Sequence, residues 1–260
     1  MRNRLLNLFA ANAKRGQFKA EGNTLYLYDA IVSSKAEAEW FGGVDAETFV
    51  KALAGMTGDV SVRINSPGGD VFAGVAMAAA IRDYAGKVNV IVDGYAASAA
   101  SVVAIAGDSV EMAQGSFMMI HKAWTLALGN ADDMTATASL LDKIDGSLAL
   151  QYATAAERRG VTPSDFAALM AAETWLTPQE AIDAGLADSV TETAVKASAW
   201  DMSAYERAPK AEAVQDAPVE ADPADEASAD QHDEQPADNK ANEIAARERQ
   251  HAVRMRLQAA

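Results

Sequence analysis

Apolar and polar positions alternate with a period that changes several times along the chain, and each change predicts an element. Thr24-Leu-Tyr-Leu-Tyr28 alternates as a half-buried strand does. Gly42 and Gly43 mark a turn, and Asp45 is placed to cap a helix running through Phe49, Val50 and Leu53. Asp59 to Ile64 reads as a second strand with Val60, Val62 and Ile64 on one face. It runs into the tight loop Asn65-Ser-Pro-Gly-Gly-Asp70, after which Val71 to Arg82 forms an alanine-rich helix. The order then repeats: Lys87 to Asp93 is a strand, Gly94 to Ala97 a loop, and Ser98 to Ala106 a helix of small residues. Ser109 to Ala113 and Phe117 to His121 are two further short strands.

From Asp132 to Arg159 apolar residues recur at steps of three and four, predicting a long helix. Asp132 and Asp133 at its start and Arg158 and Arg159 near its end suit the helix dipole, and Gly160 suits a stop. Thr162-Pro-Ser164 predicts the start of another helix through Phe166 and Leu169. Thr177-Pro-Gln-Glu180 is a capping box that opens a helix stopped at Gly185, and Asp188 to Val190 reads as a closing strand. Strands separated by helices favour an α/β fold with crossover connections.

Composition changes the picture at the two ends. Arg2, Arg4, Lys14, Arg15 and Lys19 make residues 1–20 a basic, mobile or amphipathic arm. Residues 196–238 are rich in Ala, Asp, Glu and Pro. Such a linker buries too little apolar surface to offset its ordering entropy, so it is expected to be disordered. Asn239 can cap a terminal helix within 239–260. The segment 21–195 between these ends holds the patterned elements of one domain. A formal net charge of −15 argues against non-specific nucleic-acid binding, which needs a basic face. No apolar run approaches the ~20 residues of a membrane helix and no secretory signal is evident, so a cytoplasmic protein is expected. The chain has no cysteine, which removes disulfides and thiolate metal sites. Of its three histidines, His232 and His251 fall in the polar tail, which leaves His121 as the one imidazole base within the patterned region.

Four places could carry chemistry. Gly68 and Gly69, between a strand and a helix, let backbone N–H groups converge on an anion, as an oxyanion hole requires. A phosphate loop would use the same geometry, but the lysine and hydroxyl of that motif are missing. Ser98 lies at a strand-to-helix junction among alanines, where it is either a helix cap or a nucleophile; Ser101 is a rival on a similar face. His121 ends an apolar strand. Glu173 could orient an imidazole, and Asp165 is a second candidate for that role.

The order of these segments resembles one family. Ile64-Asn-Ser-Pro-Gly-Gly-Asp-Val-Phe-Ala-Gly74 resembles the oxyanion segment of the Clp protease proteolytic subunit. Gly94-Tyr-Ala-Ala-Ser-Ala resembles its nucleophile segment, Met119-Ile-His121 its histidine segment, and Trp175 to Asp188 the segment that closes its fold. The resemblance covers roughly residues 22–192. It implies a Clp-protease/crotonase-like spiral of β-β-α units with a long protruding helix. It also implies a serine peptidase with Ser98 as nucleophile, His121 as base and Glu173 where that family has an aspartate. The N–H groups near Gly68 or Gly69 and of Ala99 would form the oxyanion hole, with no metal or organic cofactor. Polypeptide substrates and a homo-oligomeric ring are further implications.

Glu39-Trp-Phe-Gly-Gly-Val44, Gly129 to Asp133 and Ala172 to Trp175 resemble the Clp-like proteases of tailed-phage structural modules. That likeness implies a head maturation (prohead) protease acting on scaffold and capsid precursors in a bacterial host. Three rival readings remain at this point: a housekeeping Clp subunit fed by an unfoldase, a crotonase-type acyl-CoA enzyme, and a non-enzymatic assembly or scaffold component. Self-cleavage is open as well, with the junctions from Trp200 to Ala204 expected to be accessible.

Overall fold

The computed structural model describes residues 4–194 and 200–209. The expected terminal helix within 239–260 lies outside the described residues. Helix α1 (Arg4–Asn12) is followed by strands β1 (Gln17–Glu21), β2 (Thr24–Tyr28) and β3 (Ile31–Val32), helix α2 (Lys35–Phe41), strand β4 (Val44–Asp45) and helix α3 (Ala46–Ala54). Next come β5 (Val60–Ser66), α4 (Val71–Arg82), β6 (Val88–Ala97), α5 (Ala99–Ala104), β7 (Ser109–Gln114) and β8 (Phe117–Ile120). The long helix α6 (Ala131–Arg158) leads to α7 (Phe166–Ala171), β9 (Thr174–Leu176), α8 (Pro178–Asp183) and β10 (Ser189–Ala194).

The principal sheet runs β1-β2-β5-β6-β7-β10, and β3 pairs with β4 in a separate two-stranded sheet. β2, β5, β6, β7 and β10 are mutually parallel, as the crossover pattern predicts, while β1 joins β2 antiparallel. Val60, Val62 and Ile64 of β5, and Val88, Val90 and Val92 of β6, fill one core with Leu25, Leu27, Met77 and Ile81. Alanines make α4 and α5 slim. Gly74 faces the α5 backbone, where an added Cβ would come 3.1 Å from the Ala99 carbonyl oxygen, so the two helices pack closely.

β6 is longer than its apolar run suggests because it serves two neighbours in series. Asn89 to Val92 pair with β7, and Tyr95 to Ala97 pair with β8. Residues read as a loop, Gly94 to Ala97, are thus the second half of a strand. This change of partner turns the sheet into a spiral. The long helix begins at Ala131, with Asn130 and Asp133 closing a reciprocal capping box. Its first half is largely exposed, and Leu148, Tyr152, Ala155 and Ala156 near its end enter the core.

Helix α7 starts later than Thr162-Pro-Ser164 predicts. Asp165 is its cap, accepting from the Ala168 N–H at 3.0 Å, and this hydrogen bond settles the boundary. Both ends of the domain pack on it. Within residues 1–20, α1 buries Leu8, Phe9 and Asn12, and β1 extends the sheet. Residues 200–209, inside the stretch expected to be disordered, pack on the domain because Trp200, Met202 and Tyr205 supply the large apolar groups that the rest of that stretch lacks. Met202 and Ala204 are buried, so the junctions from Trp200 to Ala204 are not the open ones the composition suggested.

Candidate active site

Strand register brings the distant candidate residues together. Ala97 of β6 pairs with Met119 of β8, and the Ser98 N–H donates to the Met119 carbonyl at 2.8 Å. His121, two residues further along, therefore lies beside Ser98. Its Nε2 is 2.7 Å from Ser98 Oγ, a hydrogen-bond distance between a hydroxyl and a base. β8 also pairs antiparallel with β9, Ile120 opposite Thr174, so the next step of that register sets Glu173 opposite His121. Ser66 of β5 pairs with Ala96, which brings the Pro67-Gly68-Gly69 turn against the same end of β6.

Ser98 has φ 54° and ψ −124°, a left-handed conformation that costs a non-glycine residue free energy, of order 1–3 kcal/mol. Its side chain makes no capping hydrogen bond to α5. The helix-cap reading of this serine is thereby answered: the strained turn turns the hydroxyl toward the imidazole. Ser101 is fully buried, and its hydroxyl bonds the Ser98 carbonyl at 2.6 Å and the Tyr152 hydroxyl at 2.8 Å. It braces the turn and faces away from solvent, which removes it as a rival nucleophile. Burial pushes the Tyr152 hydroxyl up to about 12, so it stays a neutral partner. Ser101→Ala leaves that hydroxyl without its partner. The expected cost is about 1–3 kcal/mol in a denaturation midpoint, with Ser98 reactivity retained.

The glycines differ in what their amides can do. The Gly68 N–H donates to Ser66 Oγ at 3.2 Å, whereas the N–H groups of Gly69 and Ala99 have no hydrogen-bond acceptor among the described residues. Gly68 serves through its lack of a side chain: a Cβ there would lie 2.5 Å from the Ala97 carbonyl oxygen and 2.7 Å from Ser98 Cβ. Gly69 and Ala99 both line the cleft at Ser98, where an oxyanion hole would need such donors.

His121 is 8% exposed, with Trp124 and Tyr205 edge-on to its ring at centroid distances of 4.5 and 5.4 Å. Burial drives its pKa from 6.5 down to about 4; the Glu173 charge opposes this shift and Arg4 adds to it. The imidazole is therefore neutral, the form in which Nε2 can accept a proton. Glu173 has φ 48°, and its carboxylate accepts from the backbone N–H groups of Glu206 at 3.0 Å and Arg207 at 2.6 Å. No hydrogen bond joins it to His121 among the described residues. Asp165, the other candidate acid, is engaged as the cap of α7.

Sequence reasoning missed Tyr205. Its fully buried ring lies beside His121 and its hydroxyl donates to the Pro67 carbonyl at 2.6 Å. A cleft of about 470 Å³ opens beside Ser98 and His121, with Val71, Val102, Ile144 and Leu148 on its apolar wall. Among the described residues no cluster of His, Asp or Glu could hold a metal ion, and no helix is long and apolar enough to cross a membrane.

The chain is similar to known proteins in sequence and in fold. Over 134 residues the chain is 34% identical to an ATP-dependent Clp protease proteolytic subunit of Bacteroides fragilis, a match covering 51% of this chain and 63% of that protein. A subunit of the same description from Deinococcus radiodurans is 26% identical over 180 residues, covering 68% of this chain and 87% of the relative. The first relatives are thus spanned over about three fifths of their length. A solved structure, the ClpP1 N165D mutant from Listeria monocytogenes, superposes with a TM-score of 0.54 at 22% identity, covering 66% of this chain and 92% of that one, and so shares the fold. The family model described as Clp protease matches residues 46–194, more than half of the chain and the stretch that carries Gly69, Ser98, His121 and Glu173, so this chain belongs to the Clp protease family.

Proposed function

We propose that the protein is a serine endopeptidase in which Ser98 is the nucleophile and His121 its general base. The observation that carries this reading is the 2.7 Å approach of Ser98 Oγ to His121 Nε2 beside the unpartnered amides of Gly69 and Ala99. As Ser98 Oγ attacks a peptide carbonyl, His121 Nε2 takes its proton. The carbonyl oxygen becomes an oxyanion and is held by the two N–H groups. His121 then returns the proton to the leaving amine, and water releases the acyl group from Ser98 with the same imidazole as base. In this reading Glu173, opposite His121 in the β8–β9 register, would stabilise the imidazolium.

The finer reading is a phage head maturation protease that cleaves scaffold and capsid precursors without ATP, as a homo-oligomeric ring in the bacterial cytoplasm or within the assembling prohead. The segments Glu39 to Val44, Gly129 to Asp133 and Ala172 to Trp175 and the acidic residues beyond Trp200 support it. The ATP-dependent relatives favour a second reading, a housekeeping subunit served by an ATPase partner. Co-expression with a capsid precursor separates the two. Cleavage by wild type in the absence of any ATPase, and none by Ser98→Ala, is the expected result. Turnover that appears only with an ATPase partner would favour the housekeeping reading.

A further inference from the structure

Glu173 occupies the right register position but spends its charge elsewhere. Its two carboxylate oxygens accept from the N–H groups of Glu206 and Arg207, and the Trp175 indole N–H approaches at 3.4 Å. The segment that supplies those amides is anchored at several points. The Asn12 side-chain amide donates to the Asp201 carbonyl at 2.9 Å and its oxygen accepts from the Asp201 N–H at 2.7 Å. The Trp200 indole donates to the Asn65 carbonyl at 3.0 Å. Arg4 of α1 pairs with Glu206 and lies 5.6 Å over the Trp124 ring. Tyr205, at the centre of the segment, covers the imidazole and also packs on Trp175, 5.8 Å away. Two stretches nearly 190 residues apart therefore close over His121 together.

We propose that residues 200–209 and α1 form a clasp that withholds Glu173 from His121, and that opening the clasp frees this carboxylate to turn to the imidazole and complete the site. The proposal rests on the peptidase reading above for its effect on catalysis, although the clasp has a readout of its own. In the closed state Glu173 makes two charge-assisted hydrogen bonds to main-chain amides, which must be given up before it can accept from the imidazole Nδ1–H. The structure is then the reserve state of the site, with nucleophile and base already in contact and the third group held back.

The imidazole reports which state is present. The groups that face it are the Glu173 carboxylate from the turn before β9, the Arg4 guanidinium from α1, the Tyr205 phenol from the clasp and the Ser98 hydroxyl. Lys122, next in the chain, is directed to Asp145 of α6 at 4.0 Å. Opening removes the burial and the Arg4 charge, both of which lower the His121 pKa, and leaves Glu173, which raises it. Opening is therefore expected to raise the His121 midpoint above its closed value.

Two substitutions loosen the clasp while Ser98, His121 and Glu173 themselves stay unchanged. Arg207→Pro deletes the N–H that Glu173 accepts and changes an exposed side chain. Asn12→Ala removes both bonds to Asp201. The experiment is an NMR titration of the histidine rings in wild type and both variants, alongside the rate of fluorophosphonate acylation at pH 7 and a thermal midpoint to verify folding. His232 and His251 are the only other histidines and serve as internal references. The expected result in the folded variants is a rise of about one pH unit or more in the His121 midpoint and acylation faster by about tenfold. A His121 midpoint that stays at the wild-type value in both folded variants, or slower acylation in both, overturns the clasp. If the midpoint rises but Ser98 is never acylated in any form, the clasp stands and the peptidase reading falls.

Discussion

Ser98→Ala is expected to lower peptide hydrolysis by a factor of ~10⁶ while leaving the fold intact. The alanine removes only Oγ, and that oxygen supports no capping bond, so the stability cost is small. His121→Ala is expected to be nearly as severe, because an unassisted serine hydroxyl is a poor nucleophile at neutral pH. The double variant discriminates most sharply. If the two side chains act as one unit, at the 2.7 Å separation observed, the second substitution costs little beyond the first. Losses that multiply to the product of the two single effects would mean that hydroxyl and imidazole act separately. The rates are measured on a peptide substrate with intact mass of the acylated protein as a check.

The second large effect is expected at Gly69. Its φ is 144°, a region open to glycine and closed to residues with a side chain, and a Cβ there would overlap the Ile31 carbonyl. Gly69→Ala must move the turn or β3, at a cost on the order of 3 kcal/mol in unfolding free energy. The N–H of the same residue is one of the two amides proposed to hold the oxyanion, so even modest movement is expected to reduce kcat by ~10²–10³-fold. Gly146→Ala is the control. That position, in α6, has open space around an added Cβ, and the helix should gain up to about 1 kcal/mol with kcat unchanged. Equal effects at the two glycines would show that the conformation at Gly69 is unimportant to the site.

Much of this site could be read before any coordinates. The apolar strands, the Gly68-Gly69 turn, Ser98 at its junction and the single histidine of the patterned region follow from local composition and periodicity. What escaped was set by partners far along the chain. Nothing local extends β6 through Gly94 to Ala97; the backbone groups of β8, some 20 residues later, do so. Residues 200–209 read as linker because Trp200, Met202 and Tyr205 are diluted among small and acidic neighbours. Their partners Asn65, Pro67 and Leu8 lie more than 130 residues away. The distinction between the Gly68 and Gly69 amides is likewise invisible in sequence, because it turns on whether Ser66 Oγ reaches one of them.

The division of β6 between β7 and β8 also bears on biosynthesis. The Gly68-Gly69 turn and Ser98 follow neighbouring parallel strands, but His121 arrives just after β8, and Glu173 only at the turn before β9. A nascent chain carrying its nucleophile has no imidazole in place until the sheet has changed direction. In the proposed peptidase, then, the pair of hydroxyl and imidazole forms only as the sheet turns into its spiral, and a chain ending before β8 would lack a base for Ser98.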